Sequence, residues 1–168
     1  MNIHKSSVAL LAFALWGSAT FAPSIQAQGS DERAAGVVLA NDSLKTMLDG
    51  LGYEPKALSK GYLVAIKKDT WTINIQLVLS PDQTKLGLNA NLGSIEKFED
   101  VPAATWLDLL SENGKIDPSS FYVDKEQKKL YLHRVMDNRA ITPAYIRTQV
   151  EAFASNIKDT NELWKFTK

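Results

Sequence analysis

Neighbouring carboxylates are the main acid–base candidates in this sequence. Glu96, Glu99 and Asp100 lie in one short stretch, and two carboxyl groups held close together can act as general acid and general base. The same stretch precedes a predicted helix, where acidic side chains are also favoured by the positive end of the helix dipole. The cluster supports the hypothesis of a small acid–base hydrolase, with a structural role at a helix start as the alternative.

Other common chemistries lack the residues that they need. The chain has no cysteine, which excludes disulfides, thiolate metal sites and thiol nucleophiles. His133 is the single histidine beyond the N-terminal segment, so no histidine-based metal site is predicted. Ser94 follows Gly93 but lacks the second glycine of a nucleophile elbow, and no glycine-rich phosphate loop is present. We therefore expect no catalytic residues, no metal and no cofactor, and a protein that is not an enzyme.

Amide side chains suggest binding instead. They share one face of two predicted neighbouring strands, and a tryptophan lies nearby, which gives a candidate partner-binding face of Trp71, Asn74, Gln76, Asn89 and Asn91. Such a face could bind an extended peptide or a glycan by hydrogen bonding. The alternative is a solvated sheet surface, because antiparallel sheets often leave one face in water.

A second candidate contact lies in the predicted central helix. Trp106 and Leu109 belong to its broad apolar face, which predicts either a homodimer contact or a face that covers the sheet. A nucleic-acid partner is not predicted, because the basic residues do not cluster. Without residues 1–27 the chain carries a formal charge of −1.

Periodicity predicts the elements that position these residues. The spacing of Leu44, Met47, Leu48 and Leu51 predicts a first helix, which Gly52 can end in the left-handed conformation. Apolar and polar residues then alternate with a period of two in three strands, and a hairpin adds two more. The predicted strands are 62–67, 71–79, 85–92, 121–124 and 129–135, with the central helix after Asp100.

A final helix is predicted from its start signal and its apolar stripe. Thr142 is a good N-cap and Pro143 suits the first helical turn. The stripe consists of Ile146, Val150, Phe153 and Ile157, and Trp164 is expected to anchor the tail. The order α-β-β-β-α-β-β-α predicts an α+β domain with an antiparallel sheet of about five strands.

The N-terminal segment has the pattern of a secretory signal peptide. Residues 6–22 carry no charge and follow Lys5, and small residues lead to a polar continuation. We expect a signal peptide over 1–27, a spacer over 28–40 and a single domain over 41–168. Signal cleavage would leave no stable membrane span, and the expected location is periplasmic or secreted.

The element order and the stretch Asp137-Asn138-Arg139-Ala140-Ile141-Thr142-Pro143 resemble the YbjN-type family of bacterial proteins, whose fold is that of type III secretion chaperones. The resemblance covers roughly residues 41–166 and implies a dimer-forming, non-enzymatic regulator or chaperone-like adaptor. It implies no catalytic residues. The expected function is an exported, non-catalytic binding or chaperone-like adaptor with a protein partner; the alternatives are a small acid–base hydrolase or a structural envelope component.

Overall fold

A computed structural model describes residues 38–168 of the chain. The expected signal peptide over 1–27 lies outside the described residues. No helix within residues 38–168 is both long and apolar enough to cross a membrane.

Within residues 38–168, three α-helices form in the regions where the sequence predicts them. Helix α1 spans Asn41–Gly50, α2 spans Ala103–Asn113 and α3 spans Pro143–Asp159. Thr142 caps α3, because its hydroxyl oxygen accepts a hydrogen bond from the backbone N–H of Tyr145 at 3.2 Å. Gly52 follows α1 with a φ of 81°, the left-handed conformation expected at a helix end.

In the described part of the chain, six antiparallel strands form one sheet. They are β1 (Lys56–Ala57), β2 (Tyr62–Lys68), β3 (Trp71–Leu79), β4 (Lys85–Ser94), β5 (Ser119–Asp124) and β6 (Lys129–Asp137). The strand order is β1-β2-β3-β4-β6-β5. The fold is therefore the predicted α+β class, with β1 as an additional strand. Its two residues are too few for a periodic pattern, which explains why the sequence predicted five strands.

The sheet has two unlike faces. Alternate residues of its strands contribute to a single core, together with Leu44 and Leu48 of α1, Leu109 of α2 and the apolar stripe of α3. Leu88, Leu132 and Phe153 are completely buried there. The predicted apolar stripe of the final helix is confirmed, because Ile146, Val150, Phe153 and Ile157 are all buried.

Arg134 is a buried cation on the covered face of the sheet. Its Nε donates to Ser119 Oγ and its Nη1 donates to Gln149 Oε1, each at 2.9 Å. Its guanidinium also lies 5.9 Å from the centre of the Phe153 ring. These contacts join β5, β6 and α3. They also stabilise the buried guanidinium charge, which has lost its contact with water.

The two ends of the described chain pack onto the domain. Leu39 is buried, and its carbonyl oxygen accepts a hydrogen bond from Asn138 Nδ2 at 2.9 Å. Residues 38–40, at the end of the predicted spacer, therefore belong to the domain. At the other end, Lys168 exchanges two backbone hydrogen bonds with Ser94, at 2.7 and 3.0 Å. Trp164 packs edge-on against Trp71 with ring centres 6.1 Å apart, so it anchors the tail as expected.

Candidate functional site

The candidate site is the sheet face opposite the core, which we call the open face. Its side chains are exposed or half-buried, and the three helices contribute their buried residues to the other face. The strands place on it Leu63, Ala65, Thr72, Asn74, Gln76, Val78, Gly87, Asn89, Asn91, Ser120, Tyr122, Tyr131, His133 and Val135.

Backbone register aligns the polar side chains of the open face in a row. Gln76 lies opposite Asn89, Asn89 lies opposite His133, and His133 lies opposite Ser120. Side chains directly opposite each other on neighbouring antiparallel strands are close enough to interact. The sheet therefore brings two of the four predicted amides together with an imidazole and a hydroxyl.

Trp71 lies apart from these amides. It has the same alternation as the buried residues Ile73 and Ile75, which directs it toward the helix side of the sheet. There it is half-buried against Trp164. Of the predicted partner-binding face, the structure places the four amides on the open face and Trp71 on the opposite one.

Two of the four amides are already engaged within the chain. Gln76 Nε2 donates to the carbonyl oxygen of Lys60 at 2.8 Å, which ties the turn before β2 to the sheet. Asn91 Oδ1 accepts from the backbone N–H of Gly93 at 3.0 Å, where the pairing of β4 with β6 has an irregularity. Both amides therefore stabilise the sheet as well as forming its surface.

The other two amides line separate grooves. Asn74 lines a groove of about 720 Å³ at the outer edge of β2, beside Leu63, Ala65 and Tyr53. Asn89 lines a second groove of about 530 Å³ beside Val78, Gly87, His133 and Val135. We call this second groove the Gly87 hollow. The four amides thus do not form one common binding surface.

Aromatic residues occupy the end of the open face nearest β5. The rings of Tyr122 and Tyr131 are stacked, with centres 5.1 Å apart and an angle of 10° between their planes. His133 packs edge-on against Tyr122 at 5.9 Å. Burial raises the pKa of both tyrosine hydroxyls and lowers the pKa of His133. All three groups are therefore held in their neutral forms at neutral pH.

Charged residues lie at the rim of the open face. Asp137 accepts two hydrogen bonds from the Arg139 guanidinium at 3.1 and 2.9 Å and lies 3.4 Å from Lys85 Nζ. Hydrogen bonds from Arg139 hold the pKa of Asp137 well below its usual range. The centre of the face carries amide, hydroxyl, imidazole and apolar groups, which suit a binding surface with a polar, uncharged centre.

The predicted carboxylate cluster lies elsewhere, on the segment between β4 and α2. Glu99 and Asp100 belong to a short 3-10 helix, Phe98–Asp100, and both are exposed. Glu96 is also exposed and pairs with Lys168 Nζ at 2.7 Å. The three carboxylates are therefore solvated, and none of them caps α2 or lies in its first turn. Within residues 38–168, no group of three His, Asp or Glu side chains could hold a metal ion.

The predicted dimer-contact residues of α2 face inward. Leu109 is only 3% exposed, and Trp106 is half-buried with its ring centre 5.5 Å from that of Phe166. The same helix presents Leu107 and Leu110 outward, each 65% exposed. These two leucines are the large apolar side chains of α2 that are most exposed to a second molecule.

Sequence reasoning did not assign His133, Tyr122, Tyr131 or Gly87 to the open face as candidate site residues. Period-two alternation along β6, where Leu130 and Leu132 are buried, would have placed Tyr131 and His133 on the opposite face. Their alignment with Asn89 and Asn91 depends on the pairing of β4 with β6, which joins strands distant in the sequence.

The comparisons with known proteins identify the fold. No family model and no curated protein matches the sequence. YbjN from E. coli matches with a TM-score of 0.52 and 16% identity, over 76% of this chain and 96% of that chain.

Chains from two protein complexes match as well. The ExoU–SpcU heterodimeric complex from the type III secretion system of Pseudomonas aeruginosa has a TM-score of 0.53 and 13% identity, over 73% of this chain and 98% of that chain. The HopA1–SchA chaperone–effector complex has a TM-score of 0.52 and 14% identity, over 71% and 93%. The chain therefore shares its fold with YbjN and with type III secretion chaperones, as its element order and terminal-helix motif had indicated.

Proposed function

We propose that this chain is an exported, non-catalytic adaptor that binds a protein partner through the open face of its sheet. The observation that carries the proposal is the uncovered face itself. Within residues 38–168 the helices bury their apolar residues on the other side of the sheet, and among helix residues only Asn41, at the start of α1, lines the Gly87 hollow. The face presents aligned amides, an imidazole and two tyrosines. Antiparallel sheets can leave one face in water. Two grooves and a partly exposed pair of aromatic side chains, however, are more typical of a binding surface than of a sheet face that only contacts solvent.

The fold comparisons support a protein as the partner. The ExoU–SpcU and HopA1–SchA structures are both complexes between two proteins, and the latter is a chaperone–effector complex. A chaperone-like adaptor uses its fold as a rigid surface and needs no catalytic group.

Export is the second part of the proposal. Its support is the sequence of residues 1–27, which has the pattern of a signal peptide. We expect the mature protein in the periplasm or the medium. Cell fractionation with the native N-terminus should recover a shortened protein there, and recovery of the full-length chain from the cytoplasm would contradict export.

Self-association is the third part. Leu107 and Leu110 are two large apolar side chains exposed on one helix, and they adjoin a small hollow of about 180 Å³ formed by Trp106, Tyr122 and Val123 among others. Covering this patch with the same patch of a second copy would remove apolar surface from water. Sedimentation should show a dimer that the double variant Leu107→Ser/Leu110→Ser converts to a monomer. A wild-type monomer at micromolar concentration would contradict this part alone.

The binding function is tested by photo-crosslinking in cells. A photoreactive amino acid is placed at Asn89 on the open face and, as a control, at Glu126 in the exposed turn between β5 and β6. We expect Asn89 to capture a specific protein, identified by mass spectrometry, that Glu126 does not capture. Identical background capture at both positions would contradict a partner on the open face.

A further inference from the structure

The Gly87 hollow has a glycine at its centre that the fold does not require. In the register, Val78 lies opposite Gly87 and Gly87 lies opposite Val135, so a residue without a side chain stands between two valines. Gly87 does not have a positive φ. A Cβ atom at this position would lie no closer than 3.6 Å to any neighbouring atom, which is ordinary contact.

Glycine within a strand lowers the stability of the protein, so its presence at this position needs a reason other than stability. It destabilises a strand by about 0.5–1 kcal/mol relative to alanine, and it often marks a site where a ligand or another backbone approaches closely. At Gly87 neither backbone conformation nor packing accounts for the glycine. The one structural effect of the glycine that remains is the space it leaves above the strand. Any larger side chain at this position would fill part of the hollow.

The floor and walls of the hollow differ in chemistry. Val78 and Val135 make an apolar floor, and Val135 is 44% exposed. Asn89 and His133 form a polar wall that can donate to and accept from a peptide backbone. The opposite side is lined by Ser80 and Pro81, at the turn that leads from β3 to β4.

The charges at the hollow favour an acidic ligand. Lys60 and Lys85 both line it. Of the nearby carboxylates, Asp137 is held mainly by Arg139, with contacts of 3.1 and 2.9 Å against 3.4 Å to Lys85. Asp82 accepts hydrogen bonds from Ser80 Oγ and from the backbone and side chain of Thr84. Lys85 pairs with Asp137, but it shares that carboxylate with Arg139. The three cations Lys60, Lys85 and Arg139 therefore outnumber the two carboxylates Asp137 and Asp82, which leaves an excess of positive charge at this rim.

We infer that the Gly87 hollow binds an extended segment of the protein partner that carries an aliphatic side chain flanked by acidic residues. This rests on the proposed function and specifies the partner's chemistry at that site. The aliphatic side chain lies over Gly87 between the two valines. Asn89 and His133 bind the main chain of the segment, and Lys60 and Lys85 lie close to its carboxylates.

Defined peptides test the inference on the purified mature protein. Three fluorescein-labelled heptapeptides share a Gly/Ser frame and differ at the centre: Glu-Leu-Glu, Lys-Leu-Lys and Glu-Ala-Glu. We expect the Glu-Leu-Glu peptide to bind about tenfold more tightly than Glu-Ala-Glu, because burial of the larger leucine side chain is worth about that much. It should bind about threefold more tightly than Lys-Leu-Lys, because contacts between exposed charges are weaker. Backbone amide shifts in NMR spectra should change at Gly87, Val78 and Asn89. Equal affinity for all three peptides, or no binding at millimolar concentration, would overturn the inference.

Variants locate the site. Gly87→Leu fills the hollow and should lower the affinity for the Glu-Leu-Glu peptide by about tenfold, the loss expected when the leucine contact is removed. Thr72→Leu is the matched control, since it adds the same side chain to the same face on the distant end of β3. Circular dichroism and urea unfolding check that both variants fold. Equal binding by folded Gly87→Leu and wild type would contradict the inference, and the wild-type peptide series remains decisive if that variant does not fold.

The photo-crosslinking experiment separates this inference from the proposed function. If the photoreactive residue at position 89 captures a partner and Gly87→Leu captures it equally well, the hollow is not the contact although the open face is. If no partner is captured at position 89, the proposed function fails with it.

Discussion

The two faces of the sheet are made by the same six strands, yet they differ in almost every property. On the covered face Leu88, Leu132 and Phe153 are completely buried, and Arg134 has hydrogen-bond partners on two neighbouring elements. On the open face Val135 and Tyr122 are 44% and 42% exposed, and two grooves separate the side chains. The covered face stabilises the fold, and the open face is the surface left for recognition.

The comparison also shows how a sheet can separate stability from binding. Because neighbouring residues of a strand point to opposite faces, each strand can supply packing on one side and recognition on the other without compromise. Substitutions on the two faces should therefore have unlike consequences: large changes in stability on one, and changes in binding with little change in stability on the other.

The largest expected effect is on the covered face. Phe153→Ala removes a completely buried aromatic ring and leaves a cavity in the core, so the free energy of unfolding should fall by about 3–5 kcal/mol. It also removes the ring beneath the Arg134 guanidinium. Urea unfolding followed by circular dichroism measures the change. Val135→Ala is the matched substitution on the open face and should cost about 1 kcal/mol or less; similar losses for both would mean that the two faces are packed alike.

Replacing each of two glycines at the open face by alanine should change the stability by an intermediate amount. We expect the substitution to destabilise the protein at one of them and not at the other. Gly61 has a φ of 75°, and a Cβ atom there would lie 1.9 Å from the backbone oxygen of Leu77. Gly61→Ala should therefore lower the free energy of unfolding by about 2–3 kcal/mol through backbone strain and overlap.

Gly87→Ala provides the contrast, because its Cβ atom meets only ordinary contacts. It should leave stability unchanged or raise it by up to about 1 kcal/mol, as alanine is the better strand residue. Thermal and urea unfolding of both variants give the comparison. A large loss for Gly87→Ala would indicate that the fold itself requires this glycine, which would remove the first argument for a ligand in the hollow.

The smallest expected effect is the pH dependence at His133. Burial lowers the pKa of this imidazole in the folded protein, so near the usual imidazole pKa of about 6.5 the unfolded chain binds more protons than the folded one. The stability associated with neutral His133 is present above that pH and is lost as the pH falls below it. The groups around the ring are Tyr122, Asn89 and Ser120, with Lys85 at the same groove.

Unfolding curves between pH 5 and 7.5 should therefore show a steeper loss for wild type than for His133→Gln, since glutamine does not titrate in this range. The difference between the two proteins isolates the histidine from the carboxylates, which titrate in both. Parallel curves would mean that the imidazole is solvated in the folded state. A steeper loss for the variant would reverse the sign of the expected shift.

Much of the fold could be predicted from local patterns. The strand Trp71–Leu79 has the predicted bounds, and Thr142 and Pro143 begin the last helix as their chemistry indicates. Local signals suffice there because capping and periodicity act between residues close in the sequence. The strand β1 was not predicted, because two residues carry no periodicity and pair only through β2.

The candidate site was predictable only in part. The four amides lie on the open face as alternation required, but Trp71 lies on the other face against Trp164. Trp71 is in phase with Ile73 and Ile75, so the alternation of the strand already indicated that it faces the core. It was assigned to the binding face because it is close to the amides in the sequence, which was the weaker argument. For Trp106 and Leu109, an apolar helix face could not distinguish a cover for the sheet from a dimer contact, because both uses need the same residues.

The sequence by itself determined the fold class, the start of the last helix and which residues of each strand share a face, since these follow from capping, turn chemistry and a two-residue period. Only the tertiary structure decided what the open face presents: the alignment of Gln76, Asn89 and His133, the division of the amides between two grooves and the hollow above Gly87. These depend on the register between β4 and its neighbours and on the pairing of β4 with β6, strands separated by α2 and β5. Contacts between distant segments arise from the packing of the whole domain, and no local pattern encodes them.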